Sequence, residues 1–299
     1  MHLRDLELRA RVVVEGFWSG LHRSPYHGFS VEFTEYRQYA PGDDLRYLDW
    51  KVFARSDRFF LKRFEDETNL RCHLVVDQSR SMAYGSVGWP KSAYAATLAA
   101  ALARLLHQQG DAVGLLTFDQ QVRDYLPPRN RSGHLRRLTL LLEREAEGRG
   151  TDVVPALERI AELARKRGMV VGISDFLAPL DRLRPALLQL AARGHELILF
   201  QVLDPAEVTL DLPRLARFED LETGRVLTVD PAAARRDYRR RFEAHCRALE
   251  ETCRPLGASL VRLQTDQPLE LALYDFLRAR MRSTKRSPRR RGPGGSLVP

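Results

Sequence analysis

The segment that most constrains this chain is residues 71–82, Arg-Cys-His-Leu-Val-Val-Asp-Gln-Ser-Arg-Ser-Met. Leu74, Val75 and Val76 form a short apolar run with β-branched members, the composition of a strand buried on both faces of a parallel sheet. An acid and two hydroxyls follow at alternating positions: Asp77, Ser79 and Ser81. Residues 83–90 make a loop punctuated by Gly and Pro, and an Ala-rich helix then begins at Lys91. This order places oxygen donors at the carboxyl end of a strand, the edge where open α/β sheets bind ligands.

Strand and helix patterns alternate from residue 71 to 281, which predicts an α/β fold: a mostly parallel sheet with helices on both faces. Strands are expected at 72–77, 112–118, 169–174, 196–202 and 258–263, with an antiparallel edge strand at 121–126 before Pro127-Pro128. Helices are expected at 91–108, 132–146, 153–166, 180–193, 231–254 and 268–282. Residues 204–230 break the alternation, and 215–222 with 225–229 around Thr223-Gly224 read as an inserted hairpin. Residues 1–70 form a leader segment. It is expected to hold a short helix carrying Leu3, Leu6, Leu8, Val12 and Val13, and a loop from Gly16 to Gly28. A strand at 29–33, a short helix with Leu48 and Phe53 after the Pro41-Gly42 turn, and a strand at 59–64 follow.

A chain of 299 residues buries on the order of three-quarters of its unfolded surface, so it needs no covalent staples. The three cysteines give no disulfide framework. Cys246 and Cys253 lie in phase with Phe242 and Leu249 on one helical stripe and read as small core residues. His245 beside Cys246 lacks zinc-ligand spacing. No apolar stretch reaches the roughly 18 residues of a membrane span, because Arg104 interrupts the best candidate, 92–106. Residues 1–7 mix charges and do not read as a signal peptide, so a cytoplasmic location is expected. The net charge is +9. Six of these charges, Arg282, Lys285, Arg286, Arg289, Arg290 and Arg291, lie in residues 282–299, which contain no acid and are expected to be a disordered basic tail. Nucleic-acid binding would rest on that tail alone and be weak.

Asp77-x-Ser79-x-Ser81 resembles the metal-ion-dependent adhesion site of von Willebrand factor type A domains. That family completes its site with a threonine and an aspartate from two later loops. Thr151, in Gly148-Arg149-Gly150-Thr151-Asp152, and Asp175, after the apolar run 170–173, stand in the matching order. The resemblance therefore implies a metal site of Asp77, Ser79, Ser81, Thr151 and Asp175. The plainer alternative is that these are turn-capping side chains. A second resemblance lies in the leader. Gly28 to Tyr39 reads G-F-S-x-E-F-x-E-x-R-x-Y, Pro41 to Trp50 reads P-G-D-D-x-R-x-x-D-W, and Ala54-Arg55 follows. This is similar to the domain of unknown function 58 family, whose members carry such a leader before a von Willebrand A-like domain. Arg37, Asp43, Asp49 and Arg55 read as a salt-bridged network, with a partner-contacting or catalytic cluster as the alternative.

Two carboxylates and three hydroxyls make a hard, all-oxygen site suited to Mg²⁺, or to Mn²⁺ or Ca²⁺, and not to zinc. In the resembled family an acidic side chain of a partner completes the metal's shell, which makes such a site a docking device. The family resemblance also implies a protein partner, a MoxR-type AAA+ ATPase or its client, and a role in chaperone-like assembly or maturation. The competing function is a metal-dependent phosphoester hydrolase. It lacks a general base near the motif, and Ser79 stands where a D-x-D phosphatase has its second acid. No P-loop or G-x-S-x-G is present. The chain is therefore expected not to be an enzyme.

Overall fold

A computed structural model of the protein describes residues 5–23, 35–38, 60–63, 70–146, 150–211, 216–219, 226–229 and 231–286. The chain divides into two compact units. One comprises residues 1–17 and 70–299, and the other residues 18–69. Helix α1 (Leu6–Arg23) crosses the boundary in sequence. In the smaller unit, strands β1 (Glu35–Gln38) and β2 (Phe60–Arg63) pair antiparallel. The expected strand at 29–33, the helix at 48–53, and Asp43, Asp49 and Arg55 lie outside the described residues.

The larger unit is built on one six-stranded sheet. Its elements in chain order are β3 (Arg71–Asp77), α2 (Lys91–Gln108), β4 (Ala112–Phe118), β5 (Val122–Arg129), α3 (His134–Leu142), α4 (Val153–Leu163), β6 (Met169–Ser174), α5 (Leu180–Ala192), β7 (Glu196–Leu203) and α6 (Pro205–Thr209). After them come β8 (Ala216–Glu219), β9 (Val226–Val229), α7 (Pro231–Cys253), β10 (Ser259–Gln264) and α8 (Leu269–Arg286). The strand order is β10-β7-β6-β3-β4-β5, parallel throughout except for β5, which runs antiparallel to β4. Helix α2 packs on β3, with α3 and α8 against it. Helices α4, α5 and α7 bury their apolar stripes on the opposite face, around Val75, Leu116, Val170 and Leu199. This is the von Willebrand A-like architecture expected from the sequence.

Burial explains the continuous apolar strands. Residues 72–77 of β3 and all of β6 are buried, because helices cover both faces. The Ala-rich character of α2 has the same origin, since its Ala95, Ala99, Ala101 and Ala103 are fully buried and allow close approach on several sides. Strands β8 and β9 form the antiparallel hairpin read from the sequence.

Four elements differ from expectation. The loop expected from Gly16 is helix as far as Arg23, and a Cβ on Gly16 would lie 3.1 Å from Glu270 Oε1, so glycine permits a close approach to α8. Helix α3 is shorter than 132–146, because Gly133 at φ 76° takes a left-handed turn before it. Strand β5 runs on through Pro127 and Pro128, as an edge strand allows. A bulge beside Gly114 accommodates them, where a Cβ would meet Leu126 O and Pro128 N at 2.8 Å. Helix α8 continues to Arg286, past the expected end at 282.

His73 is the one buried polar side chain of β3 before Asp77. It is buried, its Nδ1 has no hydrogen-bond partner among the described residues, and burial lowers its pKa to about 4, with His195 and Arg71 adding repulsion. The unfolded histidine takes up a proton near its ordinary value while the folded one stays neutral. Stability is therefore full above about pH 6.5 and is lost as pH falls towards 4. Denaturant melts at pH 7 and pH 4.5 are expected to show His73→Leu losing less stability on acidification than wild type, by about 2–3 kcal/mol. An equal loss in both would mean that His73 is not the acid-sensitive group.

Candidate metal centre at the carboxyl edge of the sheet

From the central strand β3 the chain crosses to β4 on one side, and the next parallel strand, β6, lies on the other side. The crevice between β3 and β6 is thus the topological switch point, where α/β sheets take their ligands. The register aligns Val76 with Ile173 and Asp77 with Phe118, so Asp77 and Ser174 end their strands side by side.

Asp77 is buried and held from both ends. Its Oδ1 accepts the Ser79 amide at 2.9 Å, and its Oδ2 accepts the Ser174 hydroxyl at 2.6 Å. Ser79 begins a short 3₁₀ turn (Arg80–Ala83), which folds Ser81 back over the strand end. Ser79 Oγ and Ser81 Oγ lie 3.0 Å apart. Ser81 Oγ is 3.3 Å from Thr151 Oγ1 and donates to Asp175 Oδ2 at 3.2 Å. All five residues expected from the sequence belong to one site: four are linked hydroxyl to hydroxyl to carboxylate, and Asp77 is tied to them through the Ser79 amide.

Each loop is fixed by its own chemistry. The Thr151 loop is tied to the end of β4 by Asp152 N–H donating to Asp119 O at 3.0 Å, and a Cβ on Gly150 would collide with the Gln120 amide. Asp152 then caps α4 by accepting the Val154 amide at 3.0 Å. The Asp175 loop turns at Phe176, a non-glycine residue at φ 50°. That conformation is costly and is overdetermined here. The Phe176 amide donates to Ser174 Oγ, its carbonyl accepts from His245 Nε2 at 2.8 Å, and its ring lies beside Gly172, where a Cβ would be 3.2 Å from Cζ. Gln201 Nε2 holds the Asp175 carbonyl at 3.1 Å. His245, which lacks zinc-ligand spacing, is thus a clamp on the site's loop.

No motif in the sequence marks what surrounds Asp175. Lys91 opens α2, but its side chain is fully buried. Its Nζ donates to Asp175 Oδ2 at 2.9 Å and to Glu207 Oε1 at 2.7 Å. Burial opposes its charge, but Asp175 and Glu207 outweigh burial and raise the Lys91 pKa, so the ammonium is charged. The 84–90 loop leading to Lys91 is pinned by Asp204, which accepts from the Ser86 amide at 2.8 Å and from the Ser86 hydroxyl at 2.5 Å. Asp204 and Glu207 also form a capping box on α6. Their spacing, Asp204-Pro205-Ala206-Glu207 after a strand, is the signal that could have placed them.

The donor set fits a hard divalent ion. Among the described residues no three His, Cys, Asp or Glu side chains gather as a metal cluster, so this site relies on hydroxyls beside its carboxylates. Burial first, and the neighbouring Asp175 charge second, push the Asp77 carboxyl well above the usual carboxylate range, against the Ser174 and Ser79 hydrogen bonds. A bound cation would relieve that repulsion.

A model of the family described as "Protein of unknown function DUF58" matches residues 35–251. The chain belongs to this family. Over 286 residues it is 34% identical to an uncharacterized protein of Mycobacterium tuberculosis, covering 94% of this chain and 89% of that one. Among solved structures it is similar to an aerotolerance-related membrane protein from Bacteroides fragilis, with TM-score 0.51, 16% identity, and 72% of this chain and 99% of that one covered. It is likewise similar to BatB from Bacteroides thetaiotaomicron, with TM-score 0.50, 15% identity, and coverage of 71% and 99%. At such identities the likeness is one of fold. For this DUF58 protein no described helix is long and apolar enough to cross a membrane.

Asp77→Asn keeps an oxygen for the Ser79 amide and offers an amide group to Ser174. In EDTA at pH 8 this variant is expected to be more stable than wild type, by on the order of 1 kcal/mol and with a higher melting temperature, because a buried charge beside Asp175 is removed. A lower melting temperature would show that the carboxylate is not under electrostatic strain.

Proposed function

We propose that this DUF58 protein is a metal-dependent protein-docking module. Asp77, Ser79, Ser81 and Thr151 would hold Mg²⁺ or Mn²⁺, with Asp175 alongside. When bound, the ion supplies a Lewis-acidic position that an Asp or Glu of a partner can complete. The observation that carries this reading is the meeting of five oxygen side chains from three separate segments at the switch point.

The chain's own residues do the rest. Ser174 and the Ser79 amide orient Asp77, and Gln201 and His245 fix the loop beneath Asp175. Val87, in the loop after the serines, and Leu177, two residues past Asp175, are exposed aliphatic side chains on the loops of this edge. They suit a protein surface better than a small polar substrate. The partner implied by the family resemblance is a MoxR-type AAA+ ATPase or its client, met in the cytoplasm. Catalysis is the weaker reading. Among the described residues the side chains shown hydrogen-bonded to the two carboxylate groups are Ser81, Ser174 and the charged Lys91, and none is a general base. His73 lies four residues earlier on β3, on the order of 13 Å along the strand.

The test pairs binding with turnover. Millimolar Mg²⁺ or Mn²⁺ is expected to raise the melting temperature of wild type but not of Asp77→Ala. Capture of a purified MoxR-type ATPase is expected to be lost in EDTA and in Ser79→Ala, with no hydrolysis of phosphate esters. Metal-dependent turnover abolished by Asp77→Ala, without metal-sensitive capture, would replace the docking reading with an enzyme.

A further inference from the structure

A fully buried lysine touching one of the site's own carboxylates is unusual in a centre meant for a cation. Lys91 has no exposed side-chain surface and makes two ion pairs, to Asp175 and to Glu207. Both Asp175 oxygens are already engaged. Oδ2 accepts from Lys91 and Ser81, and Oδ1 accepts the Leu177 amide at 3.3 Å. The ammonium has no room to leave, because the 84–90 loop that delivers it is held by Asp204 and by Trp89 Nε1 donating to Thr265 O at 3.0 Å. Glu207 is held in turn, with Oε2 accepting the Asp204 amide at 3.0 Å and its carbonyl accepting from the Tyr238 hydroxyl of α7 at 2.7 Å.

We propose that Lys91 is a built-in counter-cation that sets how tightly this site holds a divalent ion, so that full occupancy requires the partner's carboxylate as well. This rests on the metal-docking reading above and adds its regulation. When all three are ionised, Asp77, Asp175 and Glu207 bring three negative charges and Lys91 one positive, leaving two negative charges around Lys91. A divalent ion entering beside the ammonium is attracted by the carboxylates and repelled by Lys91 within a few ångströms, in a medium that screens poorly. Lys91 therefore weakens intrinsic metal affinity while holding Asp175 in place. An incoming Asp or Glu adds a further negative charge beside the ion, so metal and partner bind with positive coupling, each raising affinity for the other by the same factor. Lys91 is thus a positioning and affinity-setting residue, and Glu207 moderates it.

The test is the Mn²⁺ dissociation constant of the full chain by calorimetry, for wild type, Lys91→Met and Glu207→Gln. Lys91→Met is expected to bind Mn²⁺ at least tenfold tighter, even though its metal-free form melts lower. Glu207→Gln removes a negative charge and leaves the ammonium to Asp175 alone, so it is expected to bind at least threefold weaker. A lysine with only a packing role would lower the melting temperature and leave both constants unchanged. Unchanged or weaker binding by Lys91→Met overturns the proposal, as does unchanged or tighter binding by Glu207→Gln. If Lys91→Met does not fold, Glu207→Gln decides alone. If neither wild type nor Lys91→Met binds Mn²⁺, the metal-docking reading itself fails.

Discussion

Everything at this edge of the sheet depends on keeping two carboxylates, Asp77 and Asp175, buried close enough to repel each other. Such a pair is costly in a low-dielectric interior unless its lone pairs are satisfied and its charge is balanced. The surroundings meet the first need and part of the second. Backbone amides of Ser79 and Leu177, hydroxyls of Ser81 and Ser174, and the Lys91 ammonium occupy the carboxylate oxygens. What stays uncompensated is the second negative charge, and a hard cation is the chemistry that answers it.

The fold exists in a form that makes this arrangement possible. A parallel sheet brings the carboxyl ends of β3, β6 and β7 to one edge, and its register sets Asp77, Ser174 and Gln201 across three neighbouring strands. Helices on both faces keep that edge dry below while the loops rise above it. The same helices anchor the loops: α2 contributes Lys91, α6 contributes Glu207, and α7 contributes His245 and Tyr238. The loop conformation at Phe176 persists because its amide, carbonyl and ring are all fixed by neighbours.

The core was legible in the sequence because two-sided burial forces continuous apolar runs, and β3, β4, β6, β7 and β10 all lie within about a residue or two of their expected bounds. Asp77, Ser79, Ser81 and Asp175 were legible because each ends or follows such a run, whereas Thr151, in a Gly-rich loop, was reached through the family resemblance. What stayed hidden depends on contacts distant in sequence. Lys91 read only as the first residue of an Ala-rich helix, and only Asp175 and Glu207, 84 and 116 residues away, make it an interior charge. Ser174 looked like the last residue of a strand, and only the β3–β6 register gives it to Asp77. The loop expected after Gly16 was a misreading of a glycine that sits inside a helix, beside the Glu270 side chain.

The most direct check on the central claim is anomalous scattering from a crystal of the full chain grown with Mn²⁺. The account expects a single strong peak at the switch point, ringed by oxygens of Asp77, Ser79, Ser81 and Thr151, with Lys91 still on Asp175. A peak elsewhere with none at the switch point, or an ordered site filled only by hydrogen-bonded side chains, would contradict it.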